Sequence, residues 1–224
     1  MKENESEKDI FEHKFGDVLK EAKSYEKRCF AKKRWGGDPI LIVVDSALDS
    51  IGLNYFRIVV PRVKRFNEKY ILGDVITSFE DFSKHSPDDN GFLEILKNKR
   101  AWGVAINVCN VLNVLRKEKN SKDDFEALRN WANAADYNKW KDDPIGKING
   151  VGLITFQYLR MQAGVDTSMP DKIIKKAAKD YFGLESKTDI EFIREMERLS
   201  NIIGYSQILI CWVIWLAESD LSLT

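Results

Sequence analysis

The stretch Ile40-Leu41-Ile42-Val43-Val44-Asp45-Ser46-Ala47-Leu48-Asp49-Ser50-Ile51-Gly52-Leu53 decides the fold class, because it is the segment that most resembles a β-strand. Five consecutive aliphatic residues are what a strand buried on both faces shows. The segment continues well past strand length, however, and Asp45, Ser46, Asp49 and Ser50 recur at helical intervals, so it predicts a helix. No other segment makes a convincing strand. Residues 10–34 place Ile10, Phe11, Phe15, Val18, Leu19 and Ala22 on one helical face, ahead of a break at Trp35-Gly36-Gly37-Asp38-Pro39. A second helical stretch is predicted from Asn54 to Tyr70, and a short helix opens at Ser78. Phe92 to Leu115 is helical by period, in one piece or two, and Asp123 to Asn133 is another amphipathic helix. Helices over 151–163, 169–181, 189–202 and 205–219 bring the count to about ten. The expected fold class is all-α.

With 224 residues, 44% of them hydrophobic, the chain is long enough for one large domain or two intimate lobes. Lys+Arg and Asp+Glu both total 35, so a nucleic-acid surface would have to come from local clustering rather than net charge. Cys29, Cys109 and Cys211 stand far apart and have neither zinc-site nor cluster-ligand spacing, so no metal and no cofactor is expected. The first residues lack the apolar core of a signal peptide. The longest apolar run, Ile208 to Ala217, is about half the ~20 residues a bilayer-crossing helix needs. A monomeric cytoplasmic protein, with no membrane partner, is the expectation.

The most informative short segment is Lys147-Ile148-Asn149-Gly150-Val151-Gly152-Leu153-Ile154-Thr155, between a polar turn and an apolar helix. Two glycines one residue apart permit a tight turn with positive φ, and the backbone amides at the following helix start then face outward. Such an end attracts an anion such as a DNA phosphate, through unpaired N–H groups and the helix dipole. The tripeptide alone is equally compatible with a glycine turn used for steric reasons.

Downstream lies Ser168-Met169-Pro170-Asp171-Lys172-Ile173-Ile174-Lys175-Lys176, with Asp171 placed 171 − 152 = 19 residues after the second glycine. In this order of elements the chain resembles the helix-hairpin-helix DNA glycosylase superfamily of endonuclease III, adenine and alkylpurine glycosylases. Its Met-Pro-Asp-Lys-Ile-Ile string looks most like the alkylpurine branch. The likeness covers about Asp38 to Lys179, with residue-level matching from Ile145 to Lys176. It implies a lobe of residues 39–163 ending in the hairpin, a second lobe of residues 1–38 plus 164–224, and a base pocket between them. It also implies that Asp171 is the catalytic carboxylate and double-stranded DNA the partner, with Lys147, Gly150, Val151, Gly152, Thr155, Lys172 and Lys175 as DNA contacts. Bifunctional members carry a Schiff-base lysine where this chain has Ile154, so the resemblance implies a monofunctional enzyme that leaves an abasic site.

An ionised carboxylate suits that chemistry, because breaking an N-glycosidic bond leaves positive charge on the sugar and requires an activated water. A position in the first helical turn is expected to hold Asp171 anionic. Ser168-x-x-Asp171 reads equally as a helix cap with an acidic first turn. Asp166 is the second candidate, five residues short of the pattern. A flipped base needs a pocket and a wedge. By the resemblance these fall between Asp45 and Asn54: Asp45, Asp49 and Asn54 as base-edge contacts and Ile51 or Leu53 as wedge. Trp35, Tyr55, Trp102 and Trp140 are candidates for stacking on a base or for the core, and Trp212 and Trp215 for the core. Basic residues cluster at Lys172, Lys175, Lys176 and Lys179, at Arg62, Lys64 and Arg65, and at Lys97, Lys99 and Arg100. The base is either a damaged one or a modified one in invading phage DNA. A non-catalytic DNA-binding module and an enzyme that cuts the DNA backbone are the rival readings.

Overall fold

The computed structural model describes residues 6–218, and every regular element among them is helical. Helix α1 (Glu7–Phe30) opens on a capping box, in which Ser6 Oγ accepts from the Asp9 amide and the Asp9 carboxylate accepts from the Ser6 amide. A left-handed turn follows, with φ of 48° at Trp35, 71° at Gly36 and 90° at Gly37. It delivers the chain to α2 (Pro39–Asp49), where Asp38 Oδ1 caps the Leu41 amide at 2.8 Å and Pro39 sits at a first-turn position that needs no N–H donor.

The strand-like run is therefore a helix, and burial explains its appearance. Every residue from Ile40 to Leu48 is buried, so α2 has no solvent face to break the aliphatic run. The helical stretch expected from Asn54 to Tyr70 is helical without a break after its Asn54 cap, as α3 (Val60–Phe66) flanked by two π-helical turns, Tyr55–Val59 and Asn67–Ile71. Short helices α4 (Phe79–Ser83) and α5 (Asn90–Ile95) precede the long α6 (Lys99–Glu118). The break between α5 and α6 falls where Leu96 turns extended and Asn98 Oδ1 caps the Ala101 amide. Helix α7 (Asp124–Ala134) is capped by Asp123, and a 3-10 turn at Tyr137–Lys139 leads through successive turns to α8 (Leu153–Gln162). Helices α9 (Lys172–Phe182), α10 (Asp189–Ile203) and α11 (Gln207–Glu218) complete the described chain.

Two sets of packed helices share one continuous hydrophobic core. Helix α11, buried from Gln207 to Leu216, packs against α1, α9 and α10. Helix α2 packs against α3, α6, α7 and α8, and α6 also holds α4 and α7. Each fully buried Leu- or Ile-sized side chain in these seams contributes ~1.5–3 kcal/mol. Trp102 lies wholly in the core, stacked on Phe66 and Phe92, so its packing role is settled. Cys29, Cys109 and Cys211 are free and buried. Among the described residues, no single helix is long and apolar enough to cross a membrane, and no three His, Cys, Asp or Glu side chains group to hold a metal ion.

Candidate functional site

The hairpin segment reaches α8 by a chain of turns rather than by a leading helix. Lys147 N donates to Asp143 O at 2.9 Å, Ile148 N to Ile145 O at 3.1 Å, and Val151 N to Ile148 O at 3.0 Å. Of its two glycines only Gly150 takes positive φ, 102°, and a Cβ there would lie 2.7 Å from Val104 Cγ2 and 3.3 Å from Arg100 Nε. Gly150 is thus required by both backbone and packing. Gly152 is required by neither: its φ of −102° and ψ of 173° suit any residue, and its Cβ position faces open space. Gly152 is the N-cap of α8 and supplies no side-chain acceptor, so the first amides of that helix meet no capping group. Lys147 and Arg100 are exposed beside this end, whereas Val151 and Thr155 are buried. Thr155 is only 7% exposed, so its hydroxyl is not the open surface contact that the sequence suggested.

Asp171 opens the next helix, but that helix starts three residues later than the Ser168 cap reading expected. Asp171 is itself the N-cap of α9, and its Oδ1 accepts from the Ile174 amide at 2.7 Å. Ser168, the expected cap, is fully buried with its carbonyl accepting from Gln157 Nε2 at 3.1 Å. The amides at the helix start do favour the ionised Asp171 carboxyl, but burial opposes them. Burial pushes it up to about 6, against the opposing pull of the Ile174 and Ile173 amides and of Lys175, because desolvation outweighs two hydrogen bonds here. Asp166, the rival carboxylate, accepts from the Ile208 amide at 3.1 Å and so caps the start of α11.

The loop carrying Asp171 is held from below by α8. Gln157 Nε2 donates to Thr167 Oγ1 at 2.6 Å as well as to Ser168 O, Arg160 Nη1 donates to Gln157 Oε1 at 2.7 Å, and Arg160 Nε donates to Ala132 O at 3.0 Å. Apart from Ser168 Oγ, which has no partner, these buried polar groups are paired, an arrangement that fixes a loop rather than merely covering it.

A second buried constellation centres on Asp45, which is fully enclosed rather than surface-facing. Its Oδ2 accepts from Trp35 Nε1 at 2.7 Å, Gln162 Nε2 at 2.8 Å, Arg34 Nη2 at 3.1 Å, Tyr55 OH at 3.1 Å and Tyr158 OH at 3.3 Å. Its Oδ1 has no partner. Arg34 also donates to Gln162 Oε1 and, at 2.8 Å, to the Tyr55 hydroxyl. Burial raises the Asp45 carboxyl above its ordinary range despite the Arg34 guanidinium beside it. Asp49, one turn further along α2, is pushed well above that range by burial and then by the like charges of Asp45 and Asp171. Asp45, Asp49 and Asp171 therefore share one electrostatic neighbourhood, although they come from α2 and from the start of α9.

The remaining sequence candidates divide. Ile51 and Leu53 are partly buried against the core, and Asn54 is exposed with its Oδ1 capping the Arg57 amide at 2.9 Å. Trp35 joins the Asp45 cluster, Tyr55 does so through its hydroxyl, and Trp140 packs toward Phe156. Three of the four α9 lysines form ion pairs: Lys175 with Asp189 at 2.7 Å, Lys176 with Asp180 at 3.0 Å, and Lys179 with Glu185 at 2.8 Å. Arg34, Tyr158 and Gln162 were not anticipated. For Tyr158 and Gln162 the only sequence signal is a scatter of polar residues in helix α8, which is buried except at Ile154, and Arg34, in the turn between α1 and α2, carries none. A cleft of about 630 Å³ between α6, α7 and the turns before the hairpin is lined by Leu115, Asn130, Trp131 and Asn133, and it shares no residue with these clusters. Compared with models of protein families, with curated proteins and with solved structures, the chain matches none.

Proposed function

We propose that the protein is a monofunctional DNA glycosylase of the helix-hairpin-helix kind, with Asp171 as the water-activating carboxylate. The observation that carries the reading is the placement of a desolvated carboxyl, pushed up to about 6, at the start of the helix that follows an uncapped glycine helix start. A carboxylate poised there is mostly ionised at neutral pH yet basic enough to take a proton, the compromise that general-base chemistry favours.

In the proposed reaction the bond between the base nitrogen and C1′ breaks with its electron pair leaving on the base. The Asp171 carboxylate stabilises the cationic sugar, and water adds to C1′ as its proton passes to Asp171. Ile154 offers no amine for an imine, so the product is an abasic site in an intact strand. The bare amides at the start of α8, flanked by Lys147 and Arg100, are the proposed phosphate clamp. Gly152 supports this: the free protein has no need of a glycine there, whereas a phosphate approaching the backbone does. Lys172 and Lys175 add charge on the same side of the Asp171 loop, Lys175 by exchanging its exposed Asp189 partner for phosphate. The helices of residues 39–163 and those of residues 1–38 plus 164–224 are read as the two lobes of such an enzyme, and damaged or modified bases are the proposed substrates.

The test is a base-release screen on duplexes containing uracil, alkylpurines, oxidised bases and modified cytosines. Alkali-dependent nicking of the product is expected, with release abolished and DNA binding retained in Asp171→Asn. Release that survives in Asp171→Asn removes the assignment. Binding without release of any base, wild type included, leaves a DNA-binding module in which Asp171 serves only as the α9 cap.

A further inference from the structure

The Asp45 cluster holds one carboxylate oxygen that the protein does not use. Oδ2 is crowded by five donors, while Oδ1 is fully buried and has none. A buried acceptor left without a partner is costly, and one on a carboxylate calls for an explanation such as a bound group. Arg34 fixes the character of the group. Although burial opposes the guanidinium charge, Tyr55, Tyr158 and Asp45 hold it protonated, so Asp45 sits beside a permanent cation as an acceptor.

The only partly exposed donor on this carboxylate is Trp35. Its backbone is in the left-handed region, φ 48° and ψ 42°, where a bulky non-glycine residue is strained. The next two residues, Gly36 and Gly37, also have positive φ, so the indole is mounted on a segment that can change φ and ψ at little steric cost. Around the carboxylate stand aromatic faces: Tyr55 lies 4.7 Å from Trp215 and 6.3 Å from Tyr158, ring centre to ring centre. An indole is a planar fused bicycle donating one N–H, the size and hydrogen-bonding character of a purine edge. Asp49, one turn along α2, feels the charges of both Asp45 and Asp171.

We propose that Asp45, beneath Trp35, is the recognition site for a planar nucleobase that presents an exocyclic amine, and that the Trp35 indole is a placeholder that swings out to admit it. This rests on the glycosylase reading and names its substrate class. An ionised carboxylate accepts hydrogen bonds only, so an amine fits both of its oxygens, whereas a carbonyl in the same place meets like partial charge. Arg34, Gln162 and Tyr158 are positioning residues that aim Asp45 from below.

The experiment is calorimetric titration of the full chain with four free bases in two matched pairs, adenine against hypoxanthine and cytosine against uracil. The amino member is expected to bind at least tenfold tighter in each pair. Trp35→Phe keeps an aromatic ring on the hinge and removes the competing N–H, so it is expected to raise affinity for adenine severalfold while the preference for adenine over hypoxanthine is kept. Asp45→Asn leaves Arg34 unpaired and endangers folding, so Trp35→Phe is the deciding variant, with a thermal melt confirming that it is folded. Equal binding within the pairs, no binding of any base at millimolar concentration, or an adenine affinity unmoved by Trp35→Phe overturns the proposal. Base release from DNA is read separately. Amine preference without release retains this site and removes the glycosylase reading; release without amine preference does the reverse.

Discussion

Replacing Asp171 by Asn should make the protein more stable at neutral pH, an unusual outcome for the loss of a helix cap. Asn caps as well as Asp, and its Oδ1 can still accept from the Ile174 amide, so the hydrogen bond survives. What disappears is the cost of ionising a half-buried carboxyl. Burial in the folded state raises this group from its ordinary value of 3.8 to about 6. A folded-state value raised above the unfolded one means that the carboxyl imposes no penalty below pH ~4, a growing one as pH rises toward 6, and the full one above that. Two units at 1.36 kcal/mol each set that penalty at up to ~3 kcal/mol. Urea unfolding of both proteins at pH 3.5, 5 and 7 (about three points across the titration) should give equal stability at the lowest pH and an advantage of ~1–3 kcal/mol for Asn at the highest. For a chain of this length that advantage raises the melting temperature by ~2–4 °C per kcal/mol. An Asn variant less stable than wild type at pH 7, or a difference that does not change with pH, would refute the reasoning. Gained stability together with lost base release is the trade expected of a carboxylate retained for chemistry.

The same titration sets the pH profile of catalysis: base release should rise about tenfold per pH unit up to ~6 and flatten above, as Asp171 loses its proton, measured under single-turnover conditions; a profile flat from pH 4 to 6 sinks the general-base role. The two hairpin glycines should separate cleanly. Gly150→Ala meets Val104 at 2.7 Å in a left-handed backbone and should cost ~1–3 kcal/mol of stability, whereas Gly152→Ala should leave stability within ~0.5 kcal/mol and weaken duplex binding at least tenfold. Arg100→Ala should weaken DNA binding for every sequence and reduce the slope of log affinity against log salt by ~1. Arg34→Met strands the buried Asp45 carboxylate and should cost ~3–5 kcal/mol by denaturant unfolding.

How much of this was legible in the sequence depended on how local the signal was. The all-helical class was readable because the polar interruptions at Asp45, Ser46, Asp49 and Ser50 outvote the aliphatic run, and because caps such as Asp38, Asp123 and Thr188 lie within three residues of the amides they bind. The π turns at both ends of α3 were not readable, because a single extra residue per turn leaves the apolar period nearly unchanged over so short a stretch. Asp171 was identifiable as a helix-start carboxylate, but its raised carboxyl was not. Burial comes from tertiary packing, which outweighs the local dipole. Asp45 was placed among the candidates without any hint that Arg34, Tyr158 and Gln162 converge on it. Those partners lie 11, 113 and 117 residues away in the chain, and no spacing rule reaches so far.

That separation also shapes how the protein acquires its site. The Asp45 cluster ties the turn after the first helix and the body of the second to α8, while α1 closes onto α11 near the end of the described chain. Contacts of such sequence separation form late and slow the search for the native state, because the intervening loop must lose its entropy before they contribute. A chain still emerging from the ribosome holds Arg34 and Asp45 long before Gln162 exists to receive them. The buried cluster is therefore complete only once α8 has docked on α2, and enclosure of the Arg34–Asp45 pair becomes a report that helices more than 100 residues apart have come together.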